Sequence, residues 1–211
     1  MKKSVGLLVL LLLVMAGCGT ASIDNNTKND ESKQQNEVSG KVDQNEEESK
    51  IDLTTYRPKT GVTKTFTSND KPMFTESIID QNDKYIQRVI TLGDMETNQV
   101  LKWVPDQAAI VSEESDSGGK ESILDDFEAV EELDTILALP QKKGDLEITV
   151  VDGVEVPYGT FNDVIKVIKN QSEEEMLITT FYAPDVGLIK QVFELTGDHP
   201  AQEIAVLTSI E

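Results

Sequence analysis

The sequence contains little of the chemistry that catalytic and metal sites usually need. Cys18 is the only cysteine and His199 the only histidine among 211 residues. A single cysteine excludes an intrachain disulfide, and one cysteine with one histidine cannot supply the ligands of an ordinary zinc site. The sequence also has no Gly-x-Ser-x-Gly turn and no phosphate-binding glycine loop. We therefore predict no metal, no cofactor and no catalytic residue, and we predict that the protein is not an enzyme.

Positive charge is scarce as well. Lysine and arginine number 19 against 39 aspartates and glutamates, which gives a formal net charge of −20. Nucleic acids bind proteins largely through basic side chains that neutralise phosphates, so this balance excludes nucleic acid as a partner. It also argues against electrostatic docking on an anionic bilayer. The acidity is explained most simply by solubility, with weak and diffuse binding of divalent cations as the alternative.

The titratable side chains that remain are not arranged as a recognisable site. His199 stands between Gly197-Asp198 and Pro200, which predicts an exposed turn. Glu113, Glu114 and Asp116 form one acidic cluster and residues 173–175 another. Neither has the spacing of a calcium-binding loop, and we interpret both as solvated loops. Carboxylates paired for glycoside cleavage need a defined separation in space, so a cell-wall hydrolase stays open as a third hypothesis.

The one long apolar run begins the chain. Lys2 and Lys3 precede residues 5–16, which are all apolar apart from a glycine. A secretory signal combines a basic start, roughly 7–15 apolar residues and a small-residue cleavage site. A membrane-spanning helix needs roughly 20 apolar residues, so this run is too short to remain as one. We predict a signal peptide over residues 1–17.

The end of this run resembles the lipobox of bacterial lipoproteins. Small residues at Ala16 and Gly17 precede Cys18, although Met15 stands where leucine is most common. The resemblance implies cleavage between Gly17 and Cys18, with a diacylglyceryl group and an N-acyl chain such as palmitate on the cysteine. Two acyl chains anchor a protein stably, whereas one does so only marginally. We expect a protein anchored to the outer face of the bacterial cytoplasmic membrane.

Residues 18–52 are interpreted as the lipidated cysteine followed by a polar and acidic tether. The four larger apolar residues of this segment are scattered among polar and charged ones. Such a segment cannot bury enough apolar surface to offset its ordering entropy, so we predict disorder. As a flexible coil it would span roughly 30 Å. Residues 53–211 then form a single β-rich extracytoplasmic domain.

Strand patterns recur along this domain, separated by Gly, Pro, Asn and Asp. They favour a mainly β (α+β) fold, with an antiparallel sheet or half-open barrel. The segment 164–168 also fits a helical face. The predicted strands cover residues 62–67, 73–79, 85–92, 100–104, 108–111, 146–151, 164–168, 176–182, 187–195 and 204–210.

One segment, residues 122–138, predicts an amphipathic helix. Its apolar residues are spaced by three and four positions, and acids occupy the other face. Ser122 with Asp125 resembles a loose N-terminal cap, and Pro140 follows the end. We expect its apolar stripe to pack on the sheet. The stripe consists of Ile123, Leu124, Phe127, Val130, Leu133, Ile136 and Leu137.

Two short patterns occur twice, at offsets of about 80 residues. Residues 56–61 resemble residues 139–144, each leading through a proline, lysine and glycine into a strand pattern. Trp103-Val104-Pro105-Asp106 similarly resembles Tyr182-Ala183-Pro184-Asp185. The repetition predicts two similar β-meanders joined by the 122–138 helix, although matches this short also arise by chance.

The second half of the chain resembles a family of uncharacterised lipoproteins of Bacillus-type bacteria. Residues 154–161, Val-Glu-Val-Pro-Tyr-Gly-Thr-Phe, and residues 181–190, Phe-Tyr-Ala-Pro-Asp-Val-Gly-Leu-Ile-Lys, match its two signature elements. Asp185 replaces the usual glycine. The resemblance implies a fold like LolA and LolB, a half-open barrel that can hold acyl chains. Pro157 and Gly159 shape a hairpin entry, and Pro184 with Gly187 bends the chain between two strands, so we assign the matched elements to the fold and not to chemistry.

Three hypotheses follow. The first is a non-enzymatic lipoprotein whose domain is a binding or structural module for an envelope protein. The second is a carrier of lipid or another hydrophobic ligand in the half-barrel, and the third is the hydrolase. A deep apolar cavity of roughly 300–1,000 Å³ would favour the carrier, and convergent carboxylates with shifted pKa values would favour the hydrolase.

Overall fold

Alternating apolar and polar residues along the domain fold into one large antiparallel sheet. The computed structural model describes residues 51–115, 121–129, 131–139 and 142–211, which all belong to one compact unit. Fourteen strands are present in these residues. They are β1 Thr63–Ser68, β2 Lys71–Gln81, β3 Tyr85–Leu92, β4 Met95–Val104, β5 Gln107–Ser115, β6 Asp134–Ala138, β7 Lys142–Lys143, β8 Leu146–Val151, β9 Val154–Val156, β10 Gly159–Phe161, β11 Val164–Gln171, β12 Met176–Ala183, β13 Gly187–Leu195 and β14 Ala201–Ile210.

Twelve of the strands share one sheet, and β9 pairs only with β10 in a separate hairpin. The order in the sheet is β6-β5-β4-β3-β2-β1-β14-β13-β12-β11-β8-β7, so two meanders meet where β1 pairs with β14. Residues of β6 and β8 approach each other without hydrogen bonding as sheet neighbours. The sheet is therefore nearly closed and barrel-like, and this shape is compatible with the half-open barrel expected from the sequence.

The core lies inside this curved sheet. Along β1, Lys64, Phe66 and Ser68 are buried and the residues between them are partly exposed, as a strand with one interior face requires. The main cluster joins the interior residues of both meanders, including Phe66, Leu101 and Leu207. All ten strands predicted from the sequence are present, so the mainly β prediction is confirmed.

The helix predicted for residues 122–138 is wrong. The described residues contain no α-helix, only the short 3-10 turns Leu53–Tyr56, Leu124–Asp126 and Ser172–Glu174. The α+β part of the fold prediction fails with it. The segment instead makes one 3-10 turn and then strand β6, which pairs with β5. Its supposed stripe is split, because Leu137 is fully buried whereas Leu133 is 52% exposed.

Electrostatics and strand pairing together explain this outcome. A helix would place Asp125, Glu128 and Glu132 three or four positions apart, where like charges repel, and the segment contains no basic residue to offset them. The β5 edge meanwhile offers unpaired backbone groups, which β6 satisfies. No helix in the described ranges is long and apolar enough to cross a bilayer.

The outer surface of β3, β4 and β5 carries a second, smaller cluster. Tyr85, Val100 and Val111 are buried there beneath Leu124, and Phe127 meets Tyr85 edge-on at 5.1 Å between ring centroids. The covering segment, residues 121–129, is called the strap below. Its contacts explain why alternating apolar residues occur on both faces of these strands.

Candidate functional site

The sequence-predicted site residues do not converge on one place in the structure. Gly17 and Cys18, the predicted cleavage and lipidation positions, lie outside the described residues, as do the predicted signal peptide and most of the tether. His199 is exposed in a bend between β13 and β14. Glu113 and Glu114 are exposed at the end of β5, not in a loop. No group of three or more acidic, histidine or cysteine side chains in the described part of the chain could hold a metal ion.

One end of the barrel is closed by the first turn of the domain. The backbone N–H of Leu53 donates to the carbonyl of Pro105 at 2.9 Å, and the indole of Trp103 donates back to the Leu53 carbonyl at 2.8 Å. The N–H of Asp185 donates to the carbonyl of Thr55 at 2.8 Å. Because Pro105 and Asp185 belong to the β4–β5 and β12–β13 turns, the Leu53–Tyr56 turn joins the two meanders at this end.

The two Pro-Asp patterns and the signature elements lie at this closed end. Trp103 and Tyr182, which occupy equivalent places in the two Pro-Asp patterns, meet edge-on with centroids 6.1 Å apart. The N–H of Tyr158, in the first signature element, donates to the carbonyl of Leu207 at 3.1 Å. These residues hold the ends of the strands together, in keeping with their assignment to the fold.

A ladder of charged and polar side chains crosses the barrel interior. Lys64 on β1 forms an ion pair with Glu76, its direct neighbour on β2, and Arg88 on β3 contacts the other oxygen of that carboxylate at 2.7 Å. Lys64 and Glu76 are almost fully buried, with side-chain exposures of 1% and 3%. The Lys64 ammonium also donates to the carbonyls of Val186 and Leu188, at 3.0 and 3.1 Å. The first meander is thereby tied to the second through the core.

The ladder continues outward to solvent. Arg88 Nε donates to Gln99 Oε1 at 2.9 Å, and Gln99 Nε2 donates to Glu113 Oε2 at 2.6 Å. Arg88 faces Gln99 directly across β3 and β4, and Gln99 faces Glu113 across β4 and β5. Five adjacent strands thus contribute one side chain each, from a buried ammonium to an exposed carboxylate.

Electrostatics fixes the charge states of the ladder. Burial acts to raise the pKa of the Glu76 carboxyl, but Lys64 and Arg88 outweigh it and hold that pKa below its ordinary value. Burial lowers the pKa of the Lys64 ammonium, and Glu76 opposes that change. Burial also raises the pKa of the Tyr182 hydroxyl, which lies on the opposite wall. Glu76 is therefore an ionised acceptor with two cationic partners, and it is not poised to donate a proton.

A shallow cavity marks the seam between β6 and β8. Its volume is about 260 Å³, and its lining includes Leu133, Asp134, Asp145 and Lys169. The ammonium of Lys169 on β11 pairs with the carboxylate of Asp134 on β6. This ion pair bridges the two margins of the sheet where no backbone pairing joins them. Charged and apolar groups share the lining of the cavity.

The interior ladder escaped the sequence analysis, although one signal for it was present. Lys64 shares its position in the alternation with Val62 and Phe66, on the face that becomes buried. A lysine on the apolar face of a strand becomes buried, and a buried charge needs a counter-charge such as an interior carboxylate. The partners Glu76 and Arg88 lie on other strands, and their register with Lys64 is set by turns whose geometry the alternation does not specify.

Comparison with known proteins gives few relatives. No protein-family model matches the chain, and no curated protein matches it in sequence. Among solved structures, a candidate exported protein from Bacteroides fragilis NCTC 9343 with a YmcC-like fold is similar at a TM-score of 0.41 and 11% identity. The match covers 76% of this chain and 99% of that chain.

Proposed function

We propose that the protein is a non-enzymatic cell-surface lipoprotein, anchored through an acylated Cys18 on the outer face of the bacterial cytoplasmic membrane. Its β-rich domain acts as a binding module for an envelope protein. The lipobox-like residues Ala16, Gly17 and Cys18 support the anchor, and the polar segment that follows supports a tether. The resemblance to Bacillus-type lipoproteins and to the LolA and LolB half-barrels supports an extracytoplasmic place.

The observation that carries the binding-module proposal is the filled interior of the barrel. The side chains of Phe66, Leu101, Leu137, Ile165 and Leu207 are each less than 2% exposed. Together with Lys64 and Glu76 they occupy the space that a hydrophobic cargo would need. A partner is therefore met on the outside of the barrel.

The same interior disfavours the carrier hypothesis. An acyl chain laid inside the barrel would contact the Lys64–Glu76–Arg88 ion network, and removing a partner from buried charges is costly. The seam cavity of about 260 Å³ is smaller than the sites that usually enclose a ligand, and charged groups line it. Neither feature suits an apolar cargo.

Hydrolysis is disfavoured by the charge state of the interior carboxylate. A general acid needs a raised pKa, whereas the pKa of Glu76 is lowered. Both of its oxygens already contact cations, Lys64 at one and Arg88 at the other. This carboxylate stabilises the fold and has no free site for a substrate.

The anchor is tested by fractionating cells that express Cys18→Ser. We expect the variant to leave the membrane fraction and to lose labelling by a palmitate analogue, since the thiol that would receive the diacylglyceryl group is gone. Thr20→Ser, two residues further on, is the matched control and should remain in the membrane. Retention of Cys18→Ser equal to wild type would refute the lipid anchor.

The binding mode is tested by native mass spectrometry on the full chain extracted in mild detergent. We expect the mass of the acylated chain alone, with no stoichiometric lipid that disappears on denaturation. A non-covalently bound lipid at one-to-one stoichiometry would instead support the lipid-carrier hypothesis. If no lipid is bound, site-directed cross-linking on intact cells would identify the envelope partner. The cross-linker would be placed on outward-facing strand positions.

A further inference from the structure

The outer face of β11 to β14 carries a row of three apolar side chains, Ile168, Val192 and Ile204, with the buried Thr179 between the first two. Ile168 faces Thr179, which faces Val192, which in turn faces Ile204, so one residue of each strand contributes. Ile204 is 37% exposed, and Ile168 and Val192 are partly exposed. We call Ile168, Thr179, Val192 and Ile204 the outer strip. Contiguous apolar surface of this kind marks interaction sites on soluble domains.

Two lysines flank an aromatic ring in the adjacent row. Lys166 faces Phe181, and Phe181 faces Lys190, whose ammonium lies 5.4 Å from the ring centroid. Neither lysine forms an ion pair with a carboxylate of the described residues. The chain has about twice as many acids as bases, yet this row brings two lysines to either side of one aromatic ring. The row is a local positive site on an acidic protein.

The other meander shows how such a face is covered. There the strap buries Tyr85, Val100 and Val111 with Leu124 and half-buried Phe127. The strap is extended apart from one 3-10 turn, and its acidic side chains point to solvent. These exposed acids are Glu121, Asp125, Asp126 and Glu128. The outer face of this barrel thus packs against an acidic segment that has a few apolar side chains.

We propose that the outer strip, with Lys166 and Lys190, docks an extended acidic segment of a partner protein. Apolar side chains of that segment would pack on Val192 and Ile204, and its carboxylates would pair with the two lysines. The inference rests on the proposed function as a binding module, and it names the surface and the chemistry of the partner.

Charge complementarity selects this occupant over two others. A second copy of the chain would bring a net charge of −20 against another of −20 and would place lysines near lysines. An anionic bilayer would meet Glu147, which faces Ile168 at one end of the outer strip, and Glu194, which lies beyond Val192 on the side away from Lys190. The partner segment therefore has its carboxylates along one side only, next to Lys166 and Lys190.

The strap itself supplies a defined probe. A fluorescein-labelled peptide of residues 121–129 is titrated with the full chain in about 0.15 M salt, where screening over about 8 Å suppresses the repulsion of the whole protein. We expect saturable binding that Lys166→Glu with Lys190→Glu weakens by about tenfold or more. Lys59→Glu with Lys71→Glu makes the same change in net charge elsewhere and should leave the affinity within about twofold.

A second peptide tests the chemistry of the segment. In it Asn replaces both aspartates and Gln replaces Glu128, and we expect about fivefold weaker binding because the lysines lose their counter-charges. Equal affinity of the two peptides would overturn the electrostatic part of the proposal. Unchanged circular dichroism and unfolding midpoints show that the lysine variants remain folded, so their loss of affinity reports on the surface.

Other outcomes overturn the assignment outright. Absence of saturable binding would overturn it. Binding that is unaffected by the Lys166 and Lys190 substitutions but is lost in Gln87→Ala would also overturn it, because the peptide would then occupy the surface that the strap covers. Sedimentation that shows a dimer dispersed by Ile204→Ser would make a second copy the occupant. Lysine-dependent binding to phosphatidylglycerol vesicles would make it a membrane. None of these results changes the membrane fractionation, in which wild type is retained and Cys18→Ser is released. A failure of the docking proposal can therefore be told apart from a failure of the lipid anchor.

Discussion

Pro58 packs against Gly187 so closely that a Cβ atom added to the glycine would lie 3.2 Å from the proline Cδ. Gly187 also has a φ of 72°, in the left-handed region where other L-residues are strained. The contact joins the segment that follows the Leu53–Tyr56 turn to the first residue of β13. Space and backbone conformation therefore both require glycine here.

Gly187→Ala should lower the free energy of unfolding by about 2 kcal/mol or more, because backbone strain adds to the clash with Pro58. The matched control is Gly153→Ala, where φ is 66° and no atom lies within 4 Å of the added carbon. That control should lose only about 1 kcal/mol, from strain alone. Urea denaturation measures both, and equal losses would contradict the importance of the Pro58 contact.

Glu76→Gln should be strongly destabilising, by about 3 kcal/mol or more, because it leaves Lys64 buried without its counter-charge and Arg88 with a weaker acceptor. Glu113→Gln alters the exposed end of the same ladder and should change stability by less than about 1 kcal/mol. Denaturant midpoints report the difference. A small effect at Glu76 would show that the interior ion network contributes little to the fold.

Acid sensitivity should depend on the same carboxyl group. The folded state lowers the pKa of Glu76, whereas in the unfolded chain this carboxyl has its ordinary pKa of about 4.3. Its contribution to stability is therefore fully present above about pH 4.3 and is lost as the pH falls through the lowered folded-state pKa. Unfolding free energies between about pH 2 and 6 should fall more steeply for wild type than for Glu76→Gln. Parallel curves would contradict a lowered pKa.

Gln87→Ala should loosen the strap locally. The fully buried Gln87 amide donates to the Glu121 carbonyl and accepts from the Ile123 N–H, both at 2.9 Å. Without it the Ile123 amide should exchange with solvent about tenfold faster or more, since a buried hydrogen bond is lost. Gln202→Ala removes an exposed side-chain bond to Glu194 and serves as the control. Unchanged protection of Ile123 would place the attachment of the strap elsewhere.

The strands could be predicted from the sequence because each has a local signature. Val, Ile, Thr and Phe alternate with polar residues, and Gly, Asn or Asp interrupts the runs, so even the ends of β3 and β13 match. The helix prediction for residues 122–138 failed because it used only the spacing of the apolar residues, every three or four positions. Like-charge repulsion and the open β5 edge decide the conformation of this segment. The pattern contains neither of these competing effects.

The candidate sites were harder to predict than the strands. Lys64 could have been singled out by its place on the apolar face of β1, but nothing local connects it with Glu76 or Arg88. The outer strip depends on the register of four strands, and a shift of one residue would turn each of its side chains inward. Such constellations follow from pairing across the sheet and are not visible in any single segment.

The neighbouring position of β1 and β14 also constrains how the barrel forms. Thr65 and Thr208 are in contact although 143 residues separate them along the chain. Contacts between such distant residues make folding slow, because the entropy of closing a long loop is lost before the strand pairing contributes any stabilising free energy. The joint between the two meanders cannot form until β14 is available, so a chain synthesised from its beginning must stay incompletely folded for almost the whole length of the domain. Under the proposed export of the chain, that delay would keep the polypeptide unfolded for passage through a narrow translocation channel.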